Sequence, residues 1–227
     1  MQRSFDAFPD RLTAGAELGR AVRKLNLRPP IIVLGLPRGG VPVAYEVARA
    51  LGAPLDVLVV RKVGMPGQPE LAIGAVAGGG IVVHEPGVEP YLDTLGARFD
   101  QLAEIERREL ERRERAYRGD APPLQLTGKT VVLVDDGLAT GSTMLAAVRA
   151  ARKAGAREIV VAAPVASDEA LALVGAEADE MVVLKTPAYL FAIGYWYQNF
   201  DQVSDAEVCE LLERSRSATP HGASDNR

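Results

Sequence analysis

The strongest constraint on the fold is a set of short apolar runs that polar residues do not interrupt. Five of them are rich in aliphatic residues: Ile31–Leu34, Val57–Val60, Val131–Val134, Ile159–Ala163 and Met181–Leu184. Such continuous runs are typical of strands that are buried on both faces of a parallel sheet. Helix-like segments rich in Ala, Arg and Leu lie between the runs. This alternation predicts an α/β fold with a mostly parallel central sheet flanked by helices.

Two segments interrupt the alternation. Residues 62–80 are dense in Gly and Pro, which predicts a flexible loop that touches a short hairpin of Ile73–Ala77 and Ile81–His84. Residues 91–118 predict a long helical insertion, because apolar residues recur three or four apart and opposite charges follow at i,i+4. We expect this helix to be solvated except along one buried stripe. The expected stripe consists of Leu92, Leu95, Phe99, Leu102 and Ile105.

Composition and charge argue against several classes of protein. Of the 227 residues, 48% are hydrophobic and 25% charged, as in ordinary folded chains, and the net charge of −4 disfavours nucleic-acid binding. The apolar runs are far shorter than a membrane span, and no apolar secretory signal is visible. The single cysteine, Cys209, fits a reducing compartment. We therefore expect a cytoplasmic protein that binds neither nucleic acid nor membranes.

The segment that points to chemistry is Thr130–Thr143, with the sequence TVVLVDDGLATGST. A buried strand ends at Asp135 and Asp136, a loop of small and hydroxyl residues follows, and a helix begins. Exposed loop amides, hydroxyls and a helix N-terminus together favour a phosphate monoester. The two carboxylates would accept hydrogen bonds from vicinal hydroxyls such as a ribose diol, or help to hold a divalent metal. The loop matches neither the P-loop nor the Rossmann glycine pattern.

This segment resembles the 5-phosphoribosyl-1-pyrophosphate (PRPP) signature of the type I phosphoribosyltransferases, and the chain looks most like a poorly characterised bacterial branch of that family. The resemblance implies that Asp135 and Asp136 contact the ribose 2′ and 3′ hydroxyls. It also implies a small C-terminal hood over the site. The residues it implies for the ribose 5-phosphate are Gly137, Ala139, Thr140, Gly141, Ser142 and Thr143.

An upstream strand and loop, residues 31–41, predict a second anion site. Arg38 offers a guanidinium, and Gly39 and Gly40 offer amides at a helix start. The loop resembles the family's pyrophosphate loop, and we place the non-proline cis peptide often found there near Pro37–Arg38. Arg61 and Lys62 follow the next strand and are further candidates for pyrophosphate contacts, beside a loop that would close over the substrates.

The resemblance implies a reaction that transfers the 5-phosphoribosyl group from PRPP to a nitrogenous acceptor, expected to be a nucleobase, and releases pyrophosphate. The residues implied in catalysis are Asp135, Asp136, Arg38 and Lys62. Mg²⁺ would stabilise the leaving group, held mainly by PRPP, with Asp135 and Asp136 as its protein ligands. The family also implies a homodimer. The alternative function is a regulatory protein that binds PRPP or a nucleotide without turnover.

Ala139 and the C-terminal aromatics bear on the acceptor. In 6-oxopurine members of the family an acid occupies the position of Ala139, so a 6-oxopurine acceptor is disfavoured here. Six of the chain's aromatic residues fall between 189 and 200, and we single out Tyr195 and Trp196 as candidates to stack on an acceptor base.

The expected organisation has three parts. Residues 1–185 form the PRPP-binding core, which includes the loop at about 62–80 and the insertion at about 91–118. Residues 186–213 form the hood together with N-terminal residues, and residues 214–227 form a disordered polar tail.

Overall fold

The computed structural model describes residues 7–85, 87 and 98–218. Its strands are β1 Ile31–Gly35, β2 Leu55–Val57, β3 Val60–Met65, β4 Gln68–Ala77, β5 Ile81–His84, β6 Thr130–Val134, β7 Glu158–Val165 and β8 Glu180–Lys185. The α-helices in this part of the chain are α1 Arg11–Arg23, α2 Gly40–Leu51, α3 Phe99–Arg118, α4 Ser142–Lys153, α5 Asp168–Gly175 and α6 Asp205–Ala218. A 3₁₀ turn spans Ile193–Trp196.

Five strands form a parallel sheet in the order β2-β1-β6-β7-β8, which confirms the predicted fold class. All five residues of β6 are buried. Val132 and Val134 pack into the cluster that includes α1, α2 and α6, whereas Val131 and Leu133 pack into the cluster that includes α4 and α5. Burial on both faces explains why this strand is apolar at every position.

The expected loop at residues 62–80 is wrong for most of its length. Strands β3, β4 and β5 form a second, antiparallel sheet, in which β4 pairs with both neighbours. The hairpin predicted from Ile73–Ala77 and Ile81–His84 is confirmed as part of it. The run Val57–Val60 is also not a single strand, because β2 ends at Val57 and β3 begins at Val60. Pairing along the sheet outweighs the Gly and Pro content that suggested a loop.

The long helix α3 is confirmed from Phe99 onward, and the expected residues 91–97 lie outside the described part of the chain. Its buried residues are Phe99, Ala103, Leu110 and Tyr117. The expectation for Ile105 is wrong, since its side chain is 67% exposed. The buried residues are instead spaced four and then seven positions apart, so Leu110 and Tyr117 continue the stripe into the charged half of the helix.

The predicted disordered tail begins too early. Helix α6 continues through residues 214–218, while residues 219–227 lie outside the description. Leu211, Leu212 and Ser215 are buried, and the Arg214 guanidinium lies over the Tyr45 ring at 5.3 Å. Packing against the core therefore supports the last turns of a helix that looks polar in sequence. No helix in the described residues is long and apolar enough to span a membrane.

Candidate active site

The C-terminal ends of β1 and β6 lie side by side, because these two strands are neighbours in the sheet. After β1 the chain turns toward β2 at one edge, and after β6 it turns toward β7 and β8 at the other. Ligands of α/β sheets bind in the crevice at such a switch point. The first loop of the site, residues 36–39, follows β1 and leads into α2. The second loop, residues 135–141, follows β6 and leads into α4. Two helix N-termini therefore flank this crevice from opposite faces of the sheet.

Two glycines let the first loop approach the acid pair. A Cβ on Gly39 would overlap Oδ2 of Asp136, and a Cβ on Gly40 would lie 2.6 Å from the Val134 carbonyl oxygen. The peptide between Pro37 and Arg38 is cis, as the resemblance of this loop to the family predicts. The predicted pyrophosphate loop and the predicted ribose acids are therefore in direct contact.

Asp135 and Asp136 are held in a largely buried position. The Asp136 backbone N–H donates to Asp135 Oδ1 at 2.9 Å. Burial raises the pKa of Asp135 well above its ordinary value, and the neighbouring Asp136 carboxylate raises it further. Burial also raises the pKa of Asp136, although Arg11 partly offsets the rise. A buried carboxylate is stable in its ionised form only when a hydrogen-bond donor or a cation lies beside it. Carboxylates with raised pKa values are therefore typical of functional sites, where a ligand supplies that partner.

Arg11 is a site residue that sequence reasoning missed. Its Nε donates to Asp136 Oδ2 at 2.8 Å, and its Nη1 donates to the Asp201 carbonyl oxygen at 2.8 Å. The guanidinium also lies 3.7 Å from the centre of the Phe200 ring. The side chain is only 11% exposed. No local pattern marks it, since the partners are 125 and 190 residues away in sequence.

Tyr197 is a second residue that was missed. Its hydroxyl donates to the Asp136 backbone oxygen at 2.6 Å, and burial, followed by the nearby Asp136 carboxylate, raises its pKa far above the ordinary value. The N-terminal segment meets it, because Phe8 forms a bridge with Tyr197 and accepts from the Gln198 N–H at 2.8 Å. The aromatic cluster predicted a hood contact, but it did not single out this ring.

The two aromatic residues that were singled out differ in their surroundings. Tyr195 is 71% exposed, whereas Trp196 packs against the cluster of Phe8 and Tyr197. Ile193, in the same turn, lies over Gly137, where a Cβ would be 2.6 Å from the isoleucine side chain. This turn therefore covers the start of the second loop.

The start of α4 has no anion of its own. Its N-cap is Gly141, at φ +75°, so no side chain caps the helix, and the first turn contains no acidic residue. The hydroxyls of Thr140 and Ser142 lie 3.0 Å apart. The Ser142 N–H donates to Thr140 Oγ1 at 3.5 Å. The N–H groups of the first turn, the two hydroxyls and the positive end of the helix dipole make this end suited to bind an anion.

The two cations of β3 face different elements, since neighbouring residues of a strand point to opposite faces. Arg61 pairs with Glu106 of α3 at 2.7 Å. Lys62 Nζ instead donates to Ser142 Oγ at 3.3 Å. Of these two candidates for pyrophosphate contacts, only Lys62 lies beside the start of α4, and Arg61 pairs with α3 instead.

Arg38 has an ion-pair partner on α6. Its Nη1 lies 3.8 Å from Asp205 Oδ1, and the Tyr117 hydroxyl donates to that same oxygen at 2.7 Å. Burial and the bond to Asp205 raise the pKa of Tyr117 to about 12. A guanidinium with one distant carboxylate partner keeps donors for a further anion.

The model of the phosphoribosyl transferase domain family matches residues 9–198, so this chain belongs to that family. A Mycobacterium tuberculosis protein named "Putative phosphoribosyl transferase" is 46% identical over 208 residues, which are 92% of this chain and 47% of that protein. The chain thus spans about half the length of the curated relatives it matches.

Solved structures agree on the fold. The crystal structure of TT1426 from Thermus thermophilus superposes with a TM-score of 0.84 at 45% identity, over 92% of this chain and 98% of that one. A hypothetical protein from Neisseria gonorrhoeae with bound ppGpp gives a TM-score of 0.52 at 15% identity, over 92% of this chain and 96% of that one. The second likeness is one of fold alone.

Proposed function

We propose that this chain transfers the 5-phosphoribosyl group of PRPP to a nitrogen acceptor and releases pyrophosphate. One observation supports this most strongly: the acid pair at the end of β6 lies between two helix starts, one led by Gly39 and Gly40 and the other by Gly141. A phosphorylated ribose with an anion at C1 presents a diol between two phosphate groups. In the site, the negative acid pair lies between two positive helix starts, in an order that matches the diol between the two phosphate groups.

In this proposal Asp135 and Asp136 accept hydrogen bonds from the ribose diol. Hydroxyl donors stabilise the ionised form of a buried carboxylate, which offsets the burial that raises both pKa values. Arg11 and Tyr197 fix the second acid through its Oδ2 and its backbone oxygen. The pair therefore orients the sugar, and catalysis depends on position and electrostatics.

The leaving group faces the first loop. The bond from C1 to the pyrophosphate oxygen breaks with its electron pair on the oxygen, while the acceptor nitrogen forms a bond to C1 and loses a proton to solvent. Arg38 and the amides of Gly39 and Gly40 stabilise the charge that develops on pyrophosphate.

A resident metal site formed by the protein alone does not fit the residues. Among the described residues, no group of three or more His, Cys, Asp or Glu side chains could hold a metal ion. Two carboxylates do fit a Mg²⁺ ion that would be held mainly by substrate phosphates, and Asp135 and Asp136 would be its protein ligands. Such an ion would neutralise charge on the leaving pyrophosphate.

The acceptor is narrowed by Ala139. This residue is exposed, and its backbone oxygen accepts from Ser167 Oγ at 2.5 Å, but its methyl side chain cannot exchange a proton with a purine. We therefore propose a nitrogen acceptor other than a 6-oxopurine. The exposed Tyr195 ring is the candidate stacking surface for a planar acceptor.

The test is pyrophosphate release from PRPP and Mg²⁺ with a panel of nitrogenous acceptors. We expect release with at least one acceptor, and its loss in the double variant Asp135→Asn, Asp136→Asn. An Asp201→Asn control keeps the backbone oxygen that Arg11 contacts and should retain turnover. PRPP binding with no release for any acceptor would contradict transfer and favour the regulatory alternative. Unchanged PRPP affinity in the double variant would contradict the role of the acids.

A further inference from the structure

We infer that Lys62 binds the sugar 5-phosphate, not the pyrophosphate, and so makes this site selective for phosphorylated ribose. The inference rests on the proposed function, because it concerns which end of that substrate the lysine contacts. The starting observation is its Nζ, which donates to Ser142 Oγ at 3.3 Å. Ser142 is the first residue of α4 and directly follows the second loop of the site.

The electrostatics of this contact imply an anion. The N-terminus of a helix is positive, so a lysine ammonium beside it is unfavourable unless a negative group lies near both. The first turn of α4 supplies no carboxylate, and Gly141 supplies no cap. Glu85 lines the same pocket as Lys62 and Ser142, but its carboxylate is paired with Arg149 at 2.6 Å. A phosphate monoester would accept from the amides, from the hydroxyls of Thr140 and Ser142, and from the lysine.

The small sheet is fixed where it presents the lysine. Arg149 of α4 donates to Glu85 Oε2, just after β5, at 2.6 Å, and Lys153 of α4 donates to the Val82 backbone oxygen at 2.8 Å. Strand β3 is hydrogen-bonded into this same sheet. Lys62 therefore extends from a sheet that packs along α4. The second loop leads into the N-terminus of this same helix.

The first loop lies on another side of the site. It begins α2, which packs on the opposite face of the five-stranded sheet from α4. Its own cation, Arg38, extends toward Asp205 at the start of α6. The pyrophosphate loop thus has a cation of its own, and the 5-phosphate loop has only Lys62 among the contacts described.

The experiment measures, by calorimetry, the affinities of the full chain for ribose 5-phosphate and for magnesium pyrophosphate. Lys62→Gln should weaken ribose 5-phosphate binding about tenfold, as expected for one charge-assisted hydrogen bond at a solvent-exposed position. Its pyrophosphate affinity should stay within about twofold, and Lys62→Arg should restore most of the loss. Lys24→Gln removes the same charge from the far end of α1 and should change neither affinity.

The outcomes separate this inference from the proposed function. Unchanged ribose 5-phosphate affinity in Lys62→Gln overturns the inference, as does a loss confined to pyrophosphate, even if the wild-type chain releases pyrophosphate from PRPP. Wild-type chain that binds neither ligand and does not turn over PRPP would overturn both. An unchanged melting temperature for Lys62→Gln shows that any loss of affinity comes from the missing charge and not from unfolding.

Discussion

Two neighbouring junctions of the central sheet have the same architecture but opposite chemistry. At the first, β6 is followed by the largely buried Asp135 and Asp136, and α4 begins with no side-chain cap and no acidic residue in its first turn. At the second, β7 ends in apolar residues, and α5 is capped by Ser167, whose side chain accepts from the Ala170 N–H at 3.0 Å. Asp168 and Glu169 then follow in the first turn of α5.

The second junction satisfies its helix from within the protein, whereas the first does not. A capped and acidic helix start contributes to stability, and an uncapped start beside buried acids lowers it. Proteins keep such costs where a ligand compensates them. This difference supports the proposal that the β6–α4 junction binds a ligand, whereas the capped helix start at the β7–α5 junction contributes to folding stability.

The largest expected effect comes from giving α4 the anion it lacks. Ser142→Asp places a carboxylate at the helix start, near Lys62. It should stabilise the ligand-free chain by about 0.3–1 kcal/mol through the helix dipole. It should also weaken ribose 5-phosphate binding by at least about a hundredfold, since two negative groups would compete for one site. Chemical denaturation and calorimetry measure the two effects.

The matched control for that substitution is Ser142→Asn, which is similar in size and uncharged. It should leave stability nearly unchanged and weaken the ligand far less. If Ser142→Asp instead retained ribose 5-phosphate affinity, the start of α4 would not be the phosphate site.

The acids at the end of β6 should make stability depend on pH. Because the folded pKa of Asp135 is raised above its ordinary 3.8, the folded chain favours the protonated acid. The stabilisation is fully present below pH 3.8 and is lost as the pH rises toward the folded pKa, by up to about 1.4 kcal/mol per pH unit. Asp135→Asn cannot ionise, and its side-chain oxygen can still accept from the Asp136 N–H.

Denaturation of wild type and Asp135→Asn between about pH 4 and pH 8, without ligand, measures this effect. The free energy of unfolding of the variant should rise relative to that of wild type as the pH increases. A constant difference over this range would mean that ionising Asp135 costs nothing, and the contrast between the two junctions would lose its electrostatic basis.

The smallest effect concerns the capped helix. Ser167→Ala removes the acceptor for the Ala170 N–H and should lower the free energy of unfolding by about 1 kcal/mol. Ser142→Ala, at the equivalent helix start, removes no cap and should change it by less than about 0.5 kcal/mol. Equal losses in the two variants, measured by denaturation, would show that α4 depends on its hydroxyl as α5 does.

The sequence was most informative where structure is set by local pattern. Continuous apolar runs predicted four of the five parallel strands, with Val57–Val60 the exception. The diacid and the glycine loops could be found because they are contiguous motifs at strand ends, where α/β sheets place their sites. The cis peptide at Pro37–Arg38 followed from the likeness of its loop to a known family.

What the sequence did not predict depends on contacts between distant segments. The antiparallel sheet β3–β5 contains glycines and prolines that usually mark loops. Its regularity comes from pairing between its strands, and α3 and α4 pack against it. Arg11 cannot be told apart from the other arginines in the sequence. It contacts Asp136 because the fold brings the start of α1 near the end of β6. Tyr197 was one aromatic among six, and its hydroxyl gains a role only through the Asp136 backbone oxygen.

A crystal structure of the chain with ribose 5-phosphate would show directly where the phosphate and the diol bind. We expect the phosphate on the amides of residues 141–143, with Lys62 Nζ within hydrogen-bond distance, and the diol on Asp135 and Asp136. A phosphate bound at the start of α2 or elsewhere, with the two acids contacting only protein, would contradict the proposed binding mode.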